Sequence, residues 1–247
     1  MYNSFKIFLL LAGILLINNC EGDKKTSISD ELSLRIVKTA ESPVIDGVLN
    51  EDCWKNAQSN SLNLCLNGEK PLYPTTVRVC YDDTYLYIGF ECQDPDAAST
   101  VTKYDGPVSQ QDYISVYIDA DSDLKAYVII DVAPTGAVSD AFVLSNNNRM
   151  KEKILYDWNC EGLRTSVSVY GGGAVPGTQD RFWRVELALP FEEFITAPHI
   201  PPSPGDSWRI NFYRKDITNG WDISAYVPTG SENFHKPSKF AWLFFEE

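Results

Sequence analysis

The stretch "TTVRVCYDDTYLYIGFEC", residues 75–92, limits what this chain can fold into more than any other. Val77, Val79 and Tyr81 alternate with neighbours of other character, "DDT" turns the chain, and Leu86, Ile88, Phe90 and Cys92 alternate back. A period of two puts alternate side chains on one face of a strand, and two such runs around a tight polar turn make an antiparallel hairpin. A second hairpin reads at "DYISVYIDADSDLKAYVIIDV", and two more strands at "RTSVSVYGG" and "RFWRVELALP", joined by the turn-rich "GGAVPGTQD". The C-terminal third adds "DSWRINFYRKD", "WDISAYVP" and "FAWLFF".

No long segment carries a helical period. Helix is expected only at "NEDCWKNA", with Asn50 as its cap, and at "PFEEF" after Pro190. Many short strands with so little helix predict an all-β fold: a two-sheet antiparallel β-sandwich, jelly-roll or immunoglobulin-like, with one or two short helices. In "FAWLFF", Phe240, Trp242 and Phe244 share one parity and Ala241, Leu243 and Phe245 the other, so this strand is expected to be covered on at least one side.

Ahead of the strands, residues 1–19 hold one lysine, Lys6, then an apolar run from Ile7 to Ile17. That run is too short for a stable membrane-spanning helix of about 20 residues and reads as a secretory signal. Cys20 follows at once, then a polar stretch without periodicity, so residues 20–33 read as a flexible tether and 34–247 as one domain. The signal and cysteine resemble a bacterial lipoprotein signal. The resemblance implies lipid attachment at Cys20, with the membrane engaged only through that anchor, on the outer membrane facing the periplasm or the surface.

A net charge of −13 excludes the clustered Lys and Arg that nucleic acid or anionic lipid requires. Besides Cys20 there are Cys53, Cys65, Cys80, Cys92 and Cys160, an odd number without a CxxC, which rules against zinc or a complete disulfide framework. Cys92 shares the alternation of Leu86, Ile88 and Phe90 and reads as a small buried hydrophobe. "DADSD" (Asp119, Asp121, Asp123) begins like a calcium loop, but Leu124 stands where such a loop needs Gly and Ile130 where it needs Glu. No cofactor is expected, structural calcium in that turn being the one open exception. No nucleophile motif accompanies either histidine, His199 or His235, and the chain reads as non-catalytic.

"VIDGVLNEDCWKNA", "TVRVCYDDTYLYIGFECQDPD", "DYISVYID", "WRVELALPFEEF", "DSWRINFYRKD" and "FHKPSKF" stand in the order seen in family 9 carbohydrate-binding modules and their bacterial lipoprotein relatives, which the chain resembles from about Pro43 to Phe245. The "IDG" turn, with Gly47, and Trp54 as a plug at one end of the sandwich explain part of the pattern without a ligand. The resemblance implies two aromatic rings sandwiching a terminal sugar, with polar groups on its hydroxyls. The first ring's place holds Ser109, the family's strand Glu is replaced by Ser115, Asp112 matches, and Phe234 occupies the second aromatic position.

Tyr104 is a candidate for the missing face, and Trp221, beside "NG", is the tryptophan most open to solvent by its turn context. Pro237 keeps "SENFHKP" out of a central ladder, which places Phe234 and His235 at a loop rim. Arg214 and Lys236 complete the expected site as donors to hydroxyls or an acidic sugar. The function implied is capture of a saccharide or polysaccharide for partner glycan-processing enzymes or transporters. The alternatives are a glycoside-hydrolysing enzyme or subunit of this fold, and an interaction domain without the sugar site.

Overall fold

Alternation decides the architecture strand by strand. The computed structural model describes residues 32–144 and 152–247; the expected signal, Cys20 and the tether as far as residue 31 lie outside them. The chain forms β1 (Ser33–Val37), α1 (Asp52–Asn56), β2 (Asn60–Ser61), β3 (Asn63–Leu64), β4 (Thr75–Tyr81) and β5 (Tyr85–Gln93). There follow β6 (Tyr113–Asp119), β7 (Ala126–Val132), β8 (Val138–Leu144), β9 (Lys153–Leu155) and β10 (Arg164–Tyr170). The last are β11 (Phe182–Pro190), β12 (Ser207–Asp216), β13 (Asp222–Ala225) and β14 (Ala241–Glu246).

They make a two-sheet sandwich. The larger sheet runs β1-β14-β12-β6-β7-β8-β9, with β13 on β12 and β3 on β13; the smaller runs β10-β11-β5-β4-β2. All pairs are antiparallel except β1 with β14. The facing sides bury Val77, Val79, Ile88, Phe90, Val185 and Leu187 from one sheet against Ile114, Val116, Ile130, Phe212, Leu243 and Phe245 from the other. Each side chain of this kind contributes about 1.5–3 kcal/mol on burial. The "DDT" turn works as read, because Asp82 accepts the N–H groups of Thr84 and Tyr85 and the Tyr87 hydroxyl.

Strands β1, β2, β3, β8 and β9 have no counterpart in the sequence reading. In "VSDAFVL" Asp140 sits on the core-facing parity with Val138 and Phe142, which hides the apolar period; its carboxylate is bonded by the Tyr104 hydroxyl and the Cys160 N–H. The expected helix at "PFEEF" is a single 3₁₀ turn, Phe191–Glu193. Asn50 does not cap α1: Glu51 precedes the first helical residue and makes no side-chain cap bond.

Trp54 corrects another expectation. It covers the outer face of the smaller sheet instead of plugging an end, in a cluster with Cys53, Cys80, Tyr87 and Ala188. A Cβ at Gly89 would lie 2.6 Å from a Leu49 methyl and 3.2 Å from the Trp54 ring, so a larger residue there would have to push both aside. Glu186 organises the whole segment, accepting Asp46 N–H, Gly47 N–H and Trp54 Nε1–H at 2.9, 2.6 and 2.8 Å. Burial pushes its carboxyl up and those bonds pull it back.

Strand β12 changes partners along its length: Ser207–Ile210 pair with β14 and Tyr213–Asp216 with β13, while the other edge stays on β6. On β14, Ala241, Leu243 and Phe245 face the core, as one-sided cover requires. Trp242 and Phe244 lie half-buried on the other side, stacked on each other, with the Arg209 guanidinium 4.1 Å from the Trp242 ring.

Candidate functional site

Odd-numbered positions of β6, β7 and β12 point away from the core, yet four of them carry tyrosines among their polar residues. Tyr113, Tyr117, Tyr127 and Tyr213 are all buried there, so something covers this face. The cover is the connection from β13 to β14. Asn211 pins its start, Nδ2 donating to the Val227 carbonyl at 3.0 Å and Oδ1 accepting Val227 N–H at 3.0 Å. Farther along, Phe234 stacks on Tyr213 with centroids 4.0 Å apart at 14°, and Phe240 meets Tyr117 and Tyr127 edge-on.

Beside this cover the face opens into a cavity of about 290 Å³, near the lower end of small-molecule sites at about 300–1,000 Å³. Tyr113, Tyr117, Ile129 and Asp131 come to it from the strands; Trp221, Tyr156, Glu232, Asn233, Phe234 and His235 come from loops. Two of its rings face water: Trp221 is 52% exposed and Tyr156 64%.

Trp221 stands in an unusual backbone state, φ +62°, directly after Gly220 at +128°. A bulky residue in the left-handed region costs about 1–3 kcal/mol and persists only where its surroundings over-determine it. Here they do. Asp112 accepts Ile217 N–H at 2.7 Å and Thr218 N–H at 3.2 Å, and Asp216 accepts Asn219 N–H at 2.9 Å. Lys215 Nζ lies 4.7 Å from the centre of the Trp221 ring.

The polar groups of the cavity are few and placed. The β6–β7 register sets Ser115 opposite Asp131, and the Ser115 hydroxyl donates to the Asp131 carboxylate. A carboxyl is therefore present beside Ser115, supplied by the neighbouring strand. Burial pushes Asp131 up to about 7, the Ser115 bond opposing. His235 Nδ1 lies 2.7 Å from the Tyr127 hydroxyl and 3.3 Å from Glu152, and burial lowers its pKa from 6.5.

Of the six ligand residues expected from sequence, the structure brings Phe234 and His235 to this cavity. Phe234 is not an exposed rim residue: at 7% exposure it belongs to the aromatic cluster beneath the cover. Asp112 is fully buried and holds the turn that carries Trp221. Lys236 stitches its own loop, donating to the Thr229 carbonyl and the Ser231 hydroxyl. Tyr104 donates to Asp140 and borders a separate cavity with Val44, Ile45 and Leu163.

Arg214 lies on the core-facing parity, 2% exposed. Its guanidinium reaches Asp94 at 2.7 Å and Asp216 at 3.0 Å, and donates to the Gln93 carbonyl and the Thr75 hydroxyl. Asn219 ties the same carboxylates to the Trp221 turn. Arg214 is thus a clasp between the sheets and the turn, out of reach of a ligand in the cavity.

Ligand atoms of Asp119, Asp121 and Asp123 lie within 4.8 Å of one another. Asp119 is buried, its Oδ1 has no hydrogen-bond partner, and burial together with Asp121 pushes it up to about 7. Converging carboxylate oxygens fit a hard cation.

A family model described as "Carbohydrate family 9 binding domain-like" matches residues 45–163. An "Extracellular protein" of Arthroderma benhamiae is 21% identical over 184 residues, 72% of this chain and 81% of its own length. A Bacteroides uniformis protein for which carbohydrate binding has been proposed superposes with a TM-score of 0.71 at 15% identity, covering 87% of this chain and all of its own. A carbohydrate binding module family 9 from Caldicellulosiruptor kristjanssonii in complex with cellotriose gives a TM-score of 0.59 at 17% identity, covering 86% of this chain and 93% of its own. The structural likenesses extend past residue 163, where the family model stops, and at these identities they establish the sandwich fold.

Proposed function

We propose that this chain, whose residues 45–163 carry a carbohydrate family 9 binding domain-like sequence, is a non-catalytic saccharide-binding protein. Its site is the aromatic cavity on the outer face of the larger sheet. The observation that carries the reading is Trp221: a half-exposed indole in left-handed backbone, following a turn tied by a buried carboxylate, at a cavity with carboxyl and amide groups. Sugars have apolar C–H faces and hydroxyl-rich edges, so a ring covers the face while fixed polar groups select the edge. Trp221 takes the role for which the sequence at Ser109 lacks a ring, and Asp131 the role absent at Ser115. The Caldicellulosiruptor module holds cellotriose or glucose, which makes short glucans the first ligands to try.

The anchoring part of the reading rests on sequence. The apolar run abutting Cys20 supports a lipid-anchored protein of a bacterial envelope that hands glycan to enzymes or transporters. Labelled palmitate should enter the wild-type chain in its host and not Cys20→Ser; equal labelling of both ends that idea.

Titration calorimetry with cello-oligosaccharides and glucose tests the binding reading. Heat absent in Trp221→Ala and present in the wild type supports it, and no binding across a broad glycan array refutes it. A second reading, glycoside hydrolysis, is favoured by Asp131, whose carboxyl titrates near 7 as a general acid would. New reducing ends after incubation with a bound glycan would replace the first reading with the second.

A further inference from the structure

The outer face of the smaller sheet holds two thiols that the cavity does not use. Cys53 lies on α1 and Cys80 on β4 beneath it, and with Trp54, Tyr87 and Ala188 they pack as one small cluster. Cysteine counting alone excluded a complete framework, but packing sorts the five. Cys53 and Cys80 belong to the same small buried cluster, on elements that contact each other, and line the same cleft. Cys92 is bonded instead to the Thr75 hydroxyl, Cys65 to the backbone at Thr229, and Cys160 lies beside Asp140.

We infer that Cys53 and Cys80 form a disulfide when the chain meets an oxidising compartment, stapling α1 to β4. A disulfide needs its two sulfurs brought to about 2.05 Å, and these two side chains already pack in one cluster where α1 contacts β4. The five-residue α1 is joined on both sides by non-strand segments that can take up that shift. Access exists as well: both cysteines line a cleft of about 620 Å³ with Lys38, Thr39, Ser42 and Glu51. A secretory signal of the kind read at residues 1–19 delivers a chain to such a compartment.

The oxidant is a small-molecule or protein disulfide. Cys53 is the attacking group, being the more exposed at 8% against 1% for Cys80, and its thiol is drawn down by the bond from Cys80 against burial and Glu51. The Cys53 thiolate attacks one sulfur of the acceptor, forming a mixed disulfide and expelling one acceptor thiolate, which takes the proton Cys53 lost. Cys80 then gives up its proton and attacks Cys53 Sγ, expelling the second acceptor thiol. The protein loses two hydrogens with their electrons, and one acceptor disulfide becomes two thiols.

The full chain, purified reduced, is exposed in its native state to oxidised glutathione, alkylated under denaturing conditions and mapped by mass spectrometry. The expected product is a peptide pair linked through Cys53 and Cys80, lighter by two hydrogens, with Cys65, Cys92 and Cys160 alkylated. The oxidised form should melt about 5–10 °C above the reduced form, and Cys53→Ser and Cys80→Ser should each abolish both the link and the rise. Alkylation of both Cys53 and Cys80, or glutathione retained on Cys53 without the link, overturns the inference. The wild-type map decides it even where a variant folds poorly.

Discussion

Removal of the Trp221 indole separates a binding role from a packing role. Trp221 is 52% exposed, and a tryptophan offers roughly 150–250 Å² of contact surface, so a sugar covering the open half would bury about 100 Å² of ring. At about 25 cal/mol per Å² that is roughly 2.5 kcal/mol, or a 50- to 100-fold loss of affinity for Trp221→Ala. Stability should change by no more than about 1 kcal/mol, because the ring's one charged neighbour, Lys215 at 4.7 Å, is worth about 0.5–1 kcal/mol. Trp221→Gly sharpens the test. Glycine relieves the left-handed backbone at φ +62° and should melt no lower than Trp221→Ala while binding no better. Calorimetric titration with the tightest glycan found, beside melting curves, measures both quantities. Unchanged affinity in Trp221→Ala, or a collapse of its stability, refutes the assignment of this ring to the ligand.

Phe234→Ala should behave differently, lowering stability by about 3–5 kcal/mol together with affinity, since its ring is stacked on Tyr213 under the cover; melting curves showing no loss would contradict the packing. Arg214→Ala should cost about 3–5 kcal/mol by leaving Asp94 and Asp216 buried without their cation, read by urea denaturation. Asp119 and Asp131 are both raised to about 7, so the folded state keeps protons that the unfolded chain releases near pH 4. Stability should therefore fall as pH rises from about 4 to about 7 and level off above; a melting temperature that is flat or climbing across pH 5–8 would be inconsistent with their burial. Calcium at millimolar concentration should raise the melting temperature of the wild type and not of Asp119→Asn, and equal responses would remove the turn as a cation site.

The sandwich was legible because period-two patterning is local: "TTVRVCYDDTYLYIGFEC" announces its own hairpin and even its turn. Parity could also have placed Arg214, which stands two and four residues from the core residues Phe212 and Ile210 and must share their side. Trp242 yields to the same reasoning, since it alternates with Leu243, and its loss should cost less than that of a fully buried tryptophan. The burial of Phe234 was not legible, because it depends on the chain from Tyr226 to Phe240 folding back over tyrosines of β6, β7 and β12, which no local pattern encodes. Trp221 gave a signal in its "NG" neighbour, but Tyr156 gave none. Asp131 was hidden for a third reason: its relation to Ser115 is a matter of cross-strand register.

The parallel pairing of β1 with β14 sets the order in which this protein can come into being. Arg35 and Glu246, bonded across that pair, are 211 residues apart in the chain, so the first described strand pairs with the last. Until β14 docks, β1 lacks its strand partner in the larger sheet and the Ser207–Ile210 half of β12 has an open edge. Contacts of such separation are slow to close and leave unpaired strands exposed meanwhile. The larger sheet therefore closes late in folding, since docking of β14 completes both the β1 edge and half of β12.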